Sequence, residues 1–301
     1  MFLQHKLQYM KRCLCLLLSV VLMVNLYSQQ NDSTLLSAQS ISTGTDAKKS
    51  GNEPVYKIRP WVDIPVALAF DAYSFYGMSV IYGRDAIPES EILGLDKKNV
   101  NSFDRTITDN YSLSAKKASD YFFYGSMPLP LFLLLDKNIR RDGLKVGLMF
   151  LEAMGTTGVI YTSAAMIANR YRPYAYNPKV PMETRRRGGA RNSFFAGHPS
   201  VVGTSTFFMA KVYCDYHPEM KHKWILYTLA GGITATTGLL RLQAGQHFRT
   251  DVLTGLVIGP IVGILVPQIH KNKKFGKSRI TLMPNFQEGS TGFTALYKLG
   301  K

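Results

Sequence analysis

From residue 252 to residue 269 the chain runs for 18 residues without a charged side chain. That is close to the length a helix needs to cross the hydrocarbon of a bilayer, where every backbone N–H and C=O must be satisfied inside the segment. Five more apolar segments precede it, at roughly residues 61–82, 118–135, 144–168, 201–212 and 224–240. Ala, Gly, Ser and Thr recur in the third, fifth and sixth segments, as in Gly231-Gly232-Ile233-Thr234-Ala235-Thr236-Thr237-Gly238. Small residues of this kind let membrane helices approach closely. The expected fold is therefore an all-α, six-helix membrane bundle. Charges interrupt the pattern at Asp63, Asp71, Glu152 and Lys211, and the mean hydropathy is only -0.04, so a soluble helical bundle is the competing architecture.

The ends read differently. Lys6, Lys11 and Arg12 precede an apolar run over residues 13–24, and Ser28 offers a small residue for cleavage, so residues 1–28 read as a secretory signal segment. An uncleaved anchor is the alternative. Residues 29–60 are rich in Ser, Thr, Asn, Asp and Lys and read as a flexible linker. The helical domain is expected over 61–270, and a basic tail over 271–301 whose far end suits short strands or disorder equally. Within the domain, the polar stretch 83–117, with Asp104, Arg105 and Asp109, is expected to form a cap near the site.

Lys and Arg number 36 against 20 for Asp and Glu, a net charge of +16 that calls for anionic partners. No nucleic-acid motif accompanies the surplus, so membrane phospholipid is the expected partner and nucleic acid is not. Cys13, Cys15 and Cys214 exclude a disulfide framework, since two of the three lie in the leader.

The polar connections carry the chemistry. Arg241-Leu242-Gln243-Ala244-Gly245-Gln246-His247-Phe248-Arg249-Thr250-Asp251 puts Arg241 six residues before His247, and His247 four before Asp251. Residues four apart share a helix face, so Asp251 can hold one imidazole nitrogen and leave the other free to attack. A guanidinium at 241 can grip two oxygens of a phosphate. Upstream, Ser193-Phe194-Phe195-Ala196-Gly197-His198-Pro199-Ser200 sets a Gly-His turn before a proline, which suits the start of a helix whose N-terminus attracts phosphate. Arg170-Tyr171-Arg172-Pro173-Tyr174 closes the third apolar segment. Each piece alone has a bland reading: a helix-capping Asp, a surface Arg, a satisfied helix-end His.

Taken in order, the three pieces resemble the motifs of the type 2 phosphatidic acid phosphatase superfamily, which includes lipid phosphatases, bacterial acid phosphatases and vanadium haloperoxidases. The resemblance covers residues 118–270 and is densest from Arg172 to Asp251. It departs from the family at three positions, where a lysine is Ala165, a serine is Ala196 and the residue before Arg241 is Leu240. The resemblance implies phosphoryl transfer through a phosphohistidine, which the residues themselves also suggest. His247 is the nucleophile, Asp251 fixes its tautomer, and His198 serves as acid and then base. Arg172, Arg241 and the Gly197 N–H bind the phosphate. Arg170 and Arg191 are candidate additional phosphate contacts, with Lys179 and Arg185 to Arg187 nearby.

The remaining histidines, His5, His217, His222 and His270, make a poor ligand set, so no metal or other cofactor is expected. The missing lysine argues against a vanadate-dependent peroxidase. The expected activity is hydrolysis of a lipid phosphate or pyrophosphate in a bacterial inner membrane. Two alternatives stand: a degenerate, non-catalytic phospholipid-binding membrane protein, left open by Ala165 and Ala196, and a soluble periplasmic acid phosphatase of the same superfamily. Short basic loops opposite the motifs place the site toward the periplasm by the positive-inside rule. The stretch from Arg170 to Arg191 is equally basic, and a cleaved leader gives the opposite parity.

Overall fold

The structure, a computed structural model, describes residues 54–272, 280–287 and 290–297. The expected signal segment and the linker as far as residue 53 lie outside the described residues. Six helices of 14 residues or more organise the rest: α1 (Pro60–Tyr82), α2 (Leu113–Ser126), α3 (Gly143–Ala168), α4 (Gly197–Tyr216), α5 (Lys223–Gln243) and α6 (Arg249–His270). Of these, α1, α3, α5 and α6 are long and apolar enough to cross a membrane. Their outward faces present Phe75, Leu229, Val257 and Leu265. A run of large apolar side chains on the outside suits lipid rather than water.

Two apolar segments depart from a simple span. The second breaks after α2 into a 3-10 stretch, Leu129–Leu135, because Pro128 and Pro130 withhold the N–H groups a continuing helix needs. The fourth, α4, is longer than its apolar core and has only modest hydropathy. Most of it is buried among the other helices, so its hydroxyls face protein. Thr204 Oγ1 lies 2.7 Å from Thr157 Oγ1 on α3, and Thr206 Oγ1 lies 3.3 Å from Thr234 Oγ1 on α5.

α6 packs most closely on this central helix. Gly255, Gly259 and Gly263 form a stripe with a four-residue period, and a Cβ at these positions would stand 2.4, 2.2 and 2.5 Å from the carbonyl oxygens of Ala196, Ser200 and Thr204. Only hydrogen fits between the two backbones, and the contact fixes the helix that begins beside His198 against the one that carries Asp251.

Three of the charges that interrupt the apolar pattern, Asp63, Glu152 and Lys211, become ties at the end of the bundle away from the motifs. His270 Nε2 lies 3.5 Å from Asp63 Oδ2 and 3.3 Å from Glu152 Oε2, joining α6 to α1 and α3. Asp215 accepts from Tyr56 Oη at 2.8 Å and from Lys271 Nζ at 2.6 Å, and is paired with Lys211. Beyond the bundle, β1 (Ile280–Gln287) and β2 (Ser290–Tyr297) pair antiparallel, from Ile280↔Tyr297 to Gln287↔Ser290. The bundle is all-α as expected, with a hairpin after it.

Gly259→Leu is expected to lower the unfolding midpoint in detergent by the equivalent of about 1–3 kcal/mol, the usual cost of overpacking. Gly232→Ala, where nothing lies within 4 Å of the added Cβ, leaves it unchanged. Equal losses at the two positions would contradict the close-contact account.

Candidate active site

The C-terminal ends of α3 and α5 and the N-terminal ends of α4 and α6 bring the three motifs together. The segment between α5 and α6 turns back on itself at Gly245, whose φ is +64° and whose carbonyl accepts from Tyr174 N at 3.0 Å. A Cβ at Gly245 would meet Asn110 O at 2.1 Å, so glycine is required by both conformation and space. The turn carries Gln246 and His247 under the Arg172 segment.

Two guanidiniums sit side by side there, Arg172 and Arg241, both more than nine-tenths buried. Gln246 holds the pair: its Oε1 accepts from Arg172 Nη1 at 2.9 Å and from Arg241 Nη2 at 3.4 Å. Arg172 also donates to Gln246 O at 3.2 Å and to Gly189 O at 3.1 Å. Arg241 Nη1 reaches Ser119 Oγ at 3.3 Å and Asp120 Oδ1 at 3.4 Å. Among the described residues, Arg241 Nε is a buried donor with no partner. Two like charges under one neutral amide make a strongly anion-attracting basin.

His247 is buried beside them. Its Nδ1 lies 2.7 Å from Ser193 O, and a carbonyl can only accept, so Nδ1 carries the proton. Nε2, with the lone pair, faces Arg172 Nη1 at 3.5 Å. Burial, then the charges of Arg172 and Arg241, hold its pKa well below the ordinary value of 6.5.

Asp251 makes no hydrogen bond to His247, contrary to expectation. It sits in the first turn of α6, and its carboxylate turns back to accept from Phe248 N at 2.9 Å and from Ser193 Oγ at 2.6 Å. The carboxylate thus holds the residue whose carbonyl holds the imidazole. Arg170 is the second departure. Its Nη1 reaches Asp251 Oδ1 at 2.5 Å and Thr250 Oγ1 at 2.8 Å, its Nη2 reaches Asp104 Oδ2 at 2.8 Å, and its guanidinium lies 4.3 Å from the Phe248 ring centroid. Two carboxylates engage it, which removes it from the phosphate contacts. Arg191 is engaged similarly, by Glu91 Oε2 at 2.6 Å and Tyr171 Oη at 3.2 Å. Arg185 and Arg186 donate to the carbonyls of Ala175 and Ile87, each at 2.8 Å.

Gly197 opens α4, and His198 follows in its first turn. His198 Nε2 lies 2.9 Å from Asp120 Oδ1 on α2, and its ring stacks on Phe123 with centroids 4.4 Å apart. Burial and the Arg241 guanidinium push the His198 pKa down to about 4, against the pull of Asp120. Contacts of 3.5 Å or less therefore run from His247 through Arg172, Gln246, Arg241 and Asp120 to His198.

Sequence reasoning missed Gln246, Ser193 and Asp120, and did not place Asp104. Gln246 adjoins His247 in the motif, yet only its contacts distinguish it from a neutral surface side chain. Asp104 is buried under the polar cap. Burial would raise its pKa, but hydrogen bonds from Thr250, Asn101 and Arg170 hold it below the carboxylate range. Along α2 from Asp120, an apolar cavity of about 300 Å³ opens between α2, α4 and α5, lined by Tyr121, Phe122, Leu129 and Ile233 among others.

Residues 146–275 match the model of the PAP2 superfamily, the family that the motifs resemble. Phosphatidylglycerophosphatase B of Bacillus subtilis (strain 168) is 34% identical over 85 residues, 28% of this chain; the chain spans 42% of the length of that curated relative. Among solved structures, the transmembrane PAP2 type phosphatidylglycerolphosphate phosphatase from Bacillus subtilis is similar over 73% of this chain and 96% of its own, with 22% identity and a TM-score of 0.40. Aquifex aeolicus LpxE is similar over 55% of this chain and 92% of its own, with 25% identity and a TM-score of 0.37.

Burial and neighbouring positive charge disfavour an imidazolium, so His198 and His247 are expected to stay neutral as pH falls through 6.5 and to charge only well below it. Arg241→Gln removes one of those charges and is expected to raise both pKa values toward 6.5. An NMR titration of histidine-labelled protein in micelles checks this, and a wild-type His198 titrating near 6.5 would contradict it.

Proposed function

We propose that this chain, which carries a PAP2 superfamily region over residues 146–275, is a membrane phosphatase that hydrolyses a lipid phosphate or pyrophosphate through a phosphohistidine. The observation that carries the reading is the state of His247: neutral, its proton held on a main-chain carbonyl, and its Nε2 lone pair turned toward a buried guanidinium. A phosphate lying between Arg172 and Arg241 would present its phosphorus to that nitrogen.

In the first step His247 Nε2 attacks phosphorus, the P–O bond to the lipid breaks, and the leaving oxygen takes a proton from His198. His198 is neutral in the free site. The bound anion offsets the guanidinium charges that hold its pKa down, so it gains a proton on binding, supported by Asp120. In the second step His198 removes a proton from water, the oxygen attacks the phosphohistidine, and the P–N bond breaks. Inorganic phosphate leaves, and His247 returns to its neutral form. Arg172, Arg241 and the Gly197 N–H at the head of α4 offset the charge on the equatorial oxygens. Asp251 acts as a positioning residue through Ser193.

The apolar cavity beside Asp120 supports a substrate with acyl or prenyl chains. Lys137, Arg140, Arg141, Lys221, Lys223 and Lys271 lie at the end of the bundle away from the site. The positive-inside rule then supports a bacterial inner-membrane protein with its site toward the periplasm. Residues 1–28 would serve as its signal segment, 29–53 as a linker and 271–301 as a tail; the expected linker stops short of residue 60, because Tyr56 is buried and bonded to Asp215.

Phosphate release from phosphatidate, phosphatidylglycerophosphate, an isoprenyl pyrophosphate and lipid A, in detergent with EDTA, tests the reading. His247→Ala is expected to reduce release to background, and His198→Ala to slow it by about 10²–10⁴-fold. Release that His247→Ala leaves at the wild-type level would exclude His247 as nucleophile; no release from any substrate would favour a non-catalytic phospholipid-binding protein.

A further inference from the structure

The face of α3 that meets the site carries a residue which the motifs do not mark. Tyr161 lies one helical turn before Ala165, on the same face. It is almost fully buried, and its ring packs directly on the residue that opens α4. A Cβ built on Gly197 would stand 2.9 Å from Tyr161 Cε2 and 3.1 Å from Cζ, the carbon that bears the hydroxyl. The ring edge meets Phe195 at 5.7 Å between centroids, interplanar angle 83°. The hydroxyl lies within electrostatic reach of Arg172 and Arg241, and of Tyr82 at the end of α1. A phenol is thus held against the Gly197 backbone, beside the two guanidiniums.

At two positions the family resemblance implies donors that this chain lacks. Ala165 and Ala196 are buried, and their side chains carry no polar atom. Arg170 and Arg191 are taken by carboxylates, as described above. Helical side chains lean toward the N-terminus, so a long side chain at 165 would lay its end over the turn that holds Tyr161. Tyr161 stands on that turn, and its side chain ends in a hydroxyl.

We propose that Tyr161 is a phosphate-binding residue, its phenolic O–H donating to a phosphate oxygen of the substrate and supplying, without charge, the contact that Ala165 and Ala196 lack. The assignment rests on the phosphatase reading above. A neutral donor gives the site one cation fewer around the phosphate than a lysine would, which leaves Arg172 and Arg241 as its main charges.

The test is the affinity of the full-length protein for inorganic phosphate and for orthovanadate, together with KM and kcat for a phosphatidate substrate. Wild type, Tyr161→Phe and His247→Ala are compared in one detergent. Phe keeps the ring on Gly197 and Phe195, so the thermal midpoint is expected to hold. Tyr161→Met, a flexible filler, is read in its place should that variant fail to fold. The loss of a hydrogen bond to a charged group is expected to weaken phosphate and vanadate binding by about 10- to 100-fold and to raise KM. Phosphate affinity equal to wild type in the folded variant overturns the assignment, whether or not the wild type turns over. Wild-type turnover that His247→Ala leaves intact removes the phosphatase mechanism, and the phosphate affinities still decide Tyr161 separately.

Discussion

Two buried guanidiniums cannot sit together without something to hold them, and the arrangement around Arg172 and Arg241 follows from that need. A carboxylate between them would neutralise the pair and occupy the place an anion must take. The Gln246 amide instead accepts from both and adds no charge. The positive potential is left standing in a dry site, where it is felt at full strength. It lowers the proton affinity of both imidazoles. No carboxylate lies between the two guanidiniums: Asp120 meets Arg241 from the His198 side, and Asp251 lies behind Ser193.

The scaffold answers the same constraint on a larger scale. Arg172 and Gly197 lie at the α3–α4 junction and Arg241 and His247 at the α5–α6 junction, so their convergence depends on how closely the helices approach. The glycine stripe on α6 sets its backbone against the α4 carbonyls at three successive turns. The polar cap above does a related task. Asp104 binds Thr250 and Arg170, and Arg170 binds Asp251, so the first turn of α6 is tied to both the cap and the end of α3.

Much of this was legible in the residues. An uncharged run such as 252–269 has few alternatives to a membrane helix, and the spacing of Arg241, His247 and Asp251 implies a shared site. The partners were not legible, for three physical reasons. The acceptor for His247 Nδ1 is a main-chain carbonyl, which every residue possesses and no motif marks. Asp120 lies 78 positions from His198, and Asp104 lies 66 from Arg170 and 146 from Thr250, within segments whose course depends on packing. Arg170 looked like a phosphate ligand because its charge was visible and the buried carboxylates that claim it were not. The split after α2 did have a signal, in Pro128 and Pro130. The low hydropathy of α4 had one too, since hydroxyls at regular intervals suit a helix enclosed by others.

The bond from His247 to Ser193 reaches the main chain and not a side chain, and this changes what heredity can do to the site. Any codon at 193 still encodes a carbonyl, so drift there leaves the imidazole's tautomer alone while loosening the grip of Asp251 on that loop. The nitrogen that faces the anion basin is in this respect insulated from mutation.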